Sequence, residues 1–112
     1  MMTESLKVLA QLVPASTTLS DLYIVPAATT TSTSSITICN QNGATNILFR
    51  ISIAVAGVPD DPKQYIYYDL ALGSNDTFIA TIGLSLGTGD IVRVQSSAAN
   101  VSFNLFGVEV SP

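Results

Sequence analysis

The sequence has no histidine, no tryptophan, one cysteine and only four basic residues among 112. Charged residues make up 11% of the chain. Each scarcity excludes something. Acid–base and nucleophilic chemistry need titratable groups held close together. Here histidine is missing and the eight acids are scattered, which argues against an enzyme. Cys39 has no partner for an intramolecular disulfide, so the chain is not a disulfide-stapled secreted module. With no histidine to activate it, Cys39 reads as a buried structural thiol near the end of a strand. Lys7, Arg50, Lys63 and Arg93 stand apart in a chain of net charge −4 and pI near 4.2. Phosphate-binding surfaces need clustered cations, so nucleic acid is not an expected partner. No run is apolar over the ~18 residues that a membrane span requires. The longest candidate, Ile47–Val58, is interrupted by Arg50 and Ser52. Met1–Lys7 lacks a charged region followed by an apolar run, which predicts no signal peptide and synthesis in the cytoplasm.

What the chain does have is strand patterning. Its 112 residues predict one domain, 1–112, with 1–20 a candidate N-terminal strand or arm. The hydrophobic fraction is 47% and the mean hydropathy +0.46, high for a soluble domain of this size. Much of the excess is Ala, Ile, Val and Leu in strand-like runs that a sandwich interior can absorb; the alternative is two buried faces, one inside the fold and one against a partner. Leu6–Val13 reads as a strand with Leu6, Val8, Ala10 and Leu12 on one face, stopped by Pro14. Asp21–Val25 is a second, short strand. Ala27–Ser35, made only of Ala, Thr and Ser, reads as a loop that becomes a strand at about Ser34. Asn42-Gly43 is a hairpin signal, because both residues tolerate positive φ. Ile47, Phe49, Ile51, Ile53 and Val55 alternate strictly with Leu48, Arg50, Ser52 and Ala54, the clearest strand in the chain. Further strands are expected over Gln64–Leu70, Thr77–Leu84, Ile91–Gln95 and Asn100–Val110. In the last, Val101, Phe103 and Leu105 share a face and Phe106, Val108 and Val110 fall one step out of phase. A bulge near Phe106-Gly107 would reconcile them. About eight strands at turn spacings of roughly ten residues predict an all-β, antiparallel, jelly-roll-like sandwich.

Few residues suggest a site. Asp60 and Asp61 with Asp69 or Asp76 could hold a hard cation, but the spacing matches no EF-hand and Pro59 and Pro62 mark a turn. No metal and no cofactor are expected. Tyr65, Tyr67 and Tyr68 are the strongest binding-like signal, since tyrosine joins apolar area to a polar tip. Tyr65 and Tyr67 are expected on one face of their strand and Tyr68 on the other. The cluster suits a contact between subunits more than carbohydrate. Asn75-Asp76-Thr77 and Asn100-Val101-Ser102 match the glycosylation sequon by chance. Gly83–Gly89 lacks the lysine and spacing of a P-loop and reads as a turn.

The order Leu22-Tyr23-Ile24-Val25-Pro26, Ser35-Ile36-Thr37-Ile38-Cys39-Asn40 and Phe49-Arg50-Ile51-Ser52 resembles a group of small virion proteins of tailed bacteriophages, including cyanophages. Lys63–Asp69, Asn75–Phe78, Gly89–Val94 and Ser102–Glu109 extend the likeness over nearly the whole chain. The resemblance involves no catalytic motif and implies a non-enzymatic structural role in the virion, assembled in the host cytoplasm. A capsid decoration (cement) protein is the first expectation, self-associating as a homotrimer and clamping the major capsid protein. A tail, baseplate or fibre component that reads host glycan through the tyrosines is the alternative.

Overall fold

In the structure, a computed structural model, residues Met2–Pro112 are described. The strands run in the order β1 (Thr3–Leu12), β2 (Ser20–Ile24), β3 (Thr30–Asn40), β4 (Ile47–Ala54), β5 (Tyr65–Leu72), β6 (Thr77–Ala80), β7 (Ser85–Leu86), β8 (Ile91–Ser96) and β9 (Val101–Ser111). One sheet has the order β1-β9-β3-β6, with β7 also on β3; the other has β2-β8-β4-β5, and every pairing is antiparallel. The chain changes sheet at nearly every connection, staying in one only from β4 to β5 and from β6 to β7. This is the winding of a jelly roll.

The two sheets meet through their alternating inward residues. Ile36, Ile38, Val101, Phe103 and Leu105 come from one side, and Ile47, Phe49, Ile51, Val92 and Val94 from the other; all are buried. Phe49 and Phe103 are fully enclosed and meet edge-on, with ring centroids 6.4 Å apart. Phe78 and Tyr67 close the same cluster, at 5.5 and 6.1 Å from Phe49.

Several local expectations change. The Ala/Thr/Ser stretch is not a loop up to Ser34: β3 starts at Thr30. Threonine is β-branched and suits a strand, and the inward Thr31 and Thr33 stay satisfied because their hydroxyls find partners. Thr33 Oγ1 donates to Ile82 O at 3.0 Å and accepts from Leu84 N at 2.9 Å. That bridge also ends β6 at Ala80, so the expected Thr77–Leu84 strand is divided, and β7 forms inside the stretch Gly83–Gly89. Asn42-Gly43 is not a hairpin turn, because β3 and β4 lie in opposite sheets. Asn40 organises this crossing from full burial: its Nδ2 donates to Thr45 O at 2.8 Å and Gly73 O at 3.0 Å, while its Oδ1 accepts from Asn42 N at 3.1 Å. Cys39 is only partly buried, because Ile38 and Asn40 take the inward positions on either side of it.

The bulge expected near Phe106-Gly107 lies in the two strands that flank it. Val8 and Ala10 oppose Phe106 and Leu105, leaving Leu9 as an extra residue in β1. Thr33 and Ser35 oppose Gly107 and Phe106, leaving Ser34 extra in β3. β9 itself alternates without a slip. Consequently Leu6 and Val8 point outward while Ala10 and Leu12 turn to the core, so the four do not share a face. The two bulges pinch β9 at Gly107. A Cβ there would lie 2.8 Å from Thr33 Cα and 3.0 Å from Leu9 Cδ1, and would also strike the Ser32 carbonyl.

Two substitutions test this packing. Gly107→Ala should cost about 1–3 kcal/mol through overpacking, read as a lower thermal midpoint. Phe103→Asp should abolish the cooperative melt, because it buries an unpaired carboxylate. A soluble, cooperatively melting Phe103→Asp variant would contradict this account of the core.

Candidate functional site

The three tyrosines sit on β5, which carries two irregularities. Its partner β4 places Phe49, Ile51 and Ser52 against Leu70, Tyr67 and Tyr65, so β5 has one extra residue in each interval. Asp69 takes a left-handed backbone, φ 53°, within the first. The extra residues change the expected facing. Tyr67 packs inward on Phe49 and Phe78, whereas Tyr65 joins Tyr68 on the outside, edge to face at 5.1 Å.

Tyr65 and Tyr68 line a surface pocket of about 500 Å³ with Arg50, Asp60 and Pro62. Arg50 reaches up from β4. Its Nε and Nη2 donate to the two carboxylate oxygens of Asp69 at 2.6 and 3.2 Å, and its Cζ lies 4.0 Å from the Tyr68 ring centre. This bidentate pair with a stacked ring suits guanidinium geometry. The hydrogen bonds from Arg50 hold the Asp69 carboxyl below its ordinary range. Burial, and then the hydrogen bond to the Asp60 carboxylate, pushes the Tyr65 hydroxyl up. The pocket therefore offers hydroxyl donors, an acceptor and apolar ring area, with no nucleophile. Asp61 is used as a cap, accepting from Lys63 N at 3.1 Å, and Asp69 is committed to Arg50. Among the described residues no three His, Cys, Asp or Glu side chains converge as a metal site.

Sequence patterning does not reveal a second cluster at the opposite edge of the sandwich. Tyr23 of β2 donates its hydroxyl proton to Glu109 Oε2 of β9 at 2.5 Å. That proton being used, Thr31 Oγ1 of β3, 2.8 Å away, donates to the tyrosine oxygen. Lys7 of β1 pairs with Glu109 Oε1 at 2.5 Å. Three strands from both sheets thus meet at one carboxylate, and β3 joins them through the Tyr23 hydroxyl. Lys7 first, and Tyr23 second, hold the Glu109 carboxyl below its ordinary range. Burial first, and the Glu109 contact second, push Tyr23 up to about 12. Only the inward phase of Glu109 and Tyr23 in their strands hints at this clasp.

The outer side of the same strands forms a third feature. The unbroken alternation of β9 puts Phe106, Val108 and Val110 on the outer face, opposite Val8, Leu6 and Glu4 of β1. Leu6 is 82% exposed and Val8 49%. The phase change visible in the sequence is a second apolar face.

No family model matches this chain, and no curated protein does. Its fold is shared with solved structures. A chain in the acid-stable capsid structure of Helicobacter pylori bacteriophage KHP30 aligns with a TM-score of 0.57 and 13% identity, over 100% of this chain and 94% of that one. A chain of the infectious bursal disease virus particle aligns with a TM-score of 0.53 and 8% identity, over 98% of this chain but 30% of that chain's length. A chain of the VP2 subviral particle of the same virus gives 0.51 and 12%, over 97% and 32%. This chain therefore spans less than a third of the infectious bursal disease virus chains. At these identities the likeness is one of fold.

The clasp has a pH signature. Because the folded state lowers the Glu109 pKa, its contribution is complete above the ordinary value near 4.5 and is lost as pH falls through the lower folded value. Tyr23 has the opposite sign: its contribution is present below pH 10 and lost as pH rises towards about 12. Glu109→Gln should flatten the decline of the thermal midpoint below pH 4.5 relative to the parent. An unchanged acid profile would remove Glu109 from the account.

Proposed function

We propose that this protein is a non-enzymatic structural protein of a bacteriophage virion, a jelly-roll capsid decoration protein that stabilises the shell. The observation that carries this reading is the second apolar face. Leu6 and Val8 are exposed on the outer face beside the half-buried Phe106, Val108 and Val110, an apolar strip for which the core has no use. Contiguous apolar surface of this kind marks a contact with another macromolecule. Support comes from the end-to-end alignment with a chain of similar length in a phage capsid structure. Weak contacts repeated by symmetry suffice to stabilise a shell without any strong individual site. In this reading the partners are further copies of the chain, as trimers, and the major capsid protein.

A second reading, a tail or fibre component that binds host glycan, is favoured by one observation. Tyr68 is 61% exposed and lines, with Tyr65, Arg50, Asp60 and Pro62, a surface pocket that joins ring area to polar groups. The same pocket also serves a subunit contact, where tyrosine and arginine are common anchors.

Electron cryomicroscopy of intact particles separates the two. Many copies over the shell at local three-fold positions are expected. A few copies confined to the tail would overturn the decoration reading. On the shell, Leu6→Asp should weaken retention at least tenfold with little change in the thermal midpoint of the free domain, because Leu6 is exposed there. Tyr68→Ala should leave retention less affected than Leu6→Asp; loss of glycan or cell binding on intact particles would instead support the second reading.

A further inference from the structure

We propose that β1 is an exchangeable strand, able to leave its own β9 and pair with β9 of a neighbouring copy of this chain. The inference rests on the shell reading, which supplies the neighbour. β1 is an edge strand, hydrogen-bonded only to β9. Residues Thr3 to Val8 contain no buried side chain, and the contacts with the core begin at the bulge, with Leu9, Ala10 and Leu12. The first half of β1 is therefore held by one row of backbone hydrogen bonds and by the Lys7–Glu109 pair. Segments held by few buried contacts open at low free-energy cost.

The remaining sheet tolerates the departure. β9 stays paired with β3 along Val101–Val110, and the clasp keeps its Tyr23, Thr31 and Glu109 members. The connection to β2 also has a defined pivot. Pro14 is buried, Thr17 N donates to Ser96 O at 2.8 Å, and Ser16 Oγ to Ser97 O at 3.2 Å, which anchors the segment after Val13. Val13 is exposed and joins this anchor to β1. From there a strand of ten residues reaches about 33 Å.

The occupant of a vacated β9 edge is specified by the contact already present. That edge fits β1 in one register, from Thr3 opposite Ser111 to Leu12 opposite Phe103, with Lys7 delivered to Glu109. A second copy carries the identical strand. Exchange replaces every contact by its equivalent, so its balance is set by strain at the pivot and by local concentration, which symmetric assembly raises.

The test uses the full chain with Cys39→Ser, which removes its one cysteine. One variant carries Leu6→Cys and a second carries Val108→Cys, positions that oppose each other in the β1–β9 register on the outer face. The two are mixed at high concentration and treated with a short bis-maleimide linker, which bridges neighbouring thiols without disulfide geometry. Exchange predicts covalent dimers in the mixture several-fold above either variant alone. A doubly substituted chain serves as the control for reach and should give both internal links and dimers. Internal links in the control with no excess dimer in the mixture would overturn the proposal. Dimers formed equally by each variant alone would also overturn it, since they report packing of the outer faces without exchange. Neither result touches the shell reading, which stands or falls on where the chain lies in the particle.

Discussion

The fold depends on one strand keeping a single phase. β9 pairs with β1 on one side and β3 on the other, and it alternates for eleven residues without a slip. Its first half sends Val101, Phe103 and Leu105 into the core, where each fully buried apolar side chain contributes about 1.5–3 kcal/mol. Its second half sends no apolar side chain inward. There the inward positions are Gly107 and Glu109, and the outward ones are apolar. A bulge within β9 would have returned Phe106, Val108 and Val110 to the inside. Both neighbours bulge instead, at Leu9 and Ser34, and the tight approach at Gly107 follows from that choice.

Much of this architecture is legible in the sequence, and the failures share a cause. The sandwich follows from strand count and turn spacing, and the inward Ile47, Phe49 and Ile51 of β4 and the first half of β9 follow from period-two alternation. The rule fails at the end of β4, where Val55 is exposed beyond the strand and Ser52 and Ala54, expected outward, are fully buried. Where alternation changed phase, the sequence could say that an irregularity was near but not which strand held it. The extra residue opposite Phe106-Gly107 belongs to strands distant in sequence, and register is a tertiary property. The tyrosines show the same limit. Two extra residues in β5 reverse the expected partnership and leave Tyr65 with Tyr68, while nothing local marks Ile66 or Asp69 as irregular before Asp69 is seen in a left-handed conformation.

Polar residues explain the rest. Threonine-rich sequence resembles a loop when its hydroxyls are assumed to need water. In β3 they do not: Thr31 is joined to Tyr23, and Thr33 bridges the gap between β6 and β7. Buried polar groups are tolerated where every partner is supplied. Asn40 and Asn42 look like turn formers for a similar reason, yet Asn40 is a fully buried hub between two loops, the β3–β4 and β5–β6 connections. Distinguishing a turn asparagine from a hub asparagine requires knowing that β3 and β4 belong to different sheets.

The few charges are largely consumed by the fold itself, and this constrains what the surface can recognise. Three of the four basic side chains are in ion pairs: Lys7 with Glu109, Arg50 with Asp69, and Arg93 with Asp21. Arg93 also donates to Val58 O at 2.9 Å, fixing the β4–β5 connection. Asp90 accepts from Gly87 N and Ala56 N, and Asp61 caps its own turn. Charges already paired within the molecule have little left for an outside partner, and exposed ones are screened by salt. A partner of this domain therefore meets shape, apolar side chains and an unpaired strand edge. Such surfaces bind weakly one at a time and gain strength by repetition. That is the physical reason a domain with so little chemistry suits an assembly better than a lone binding event.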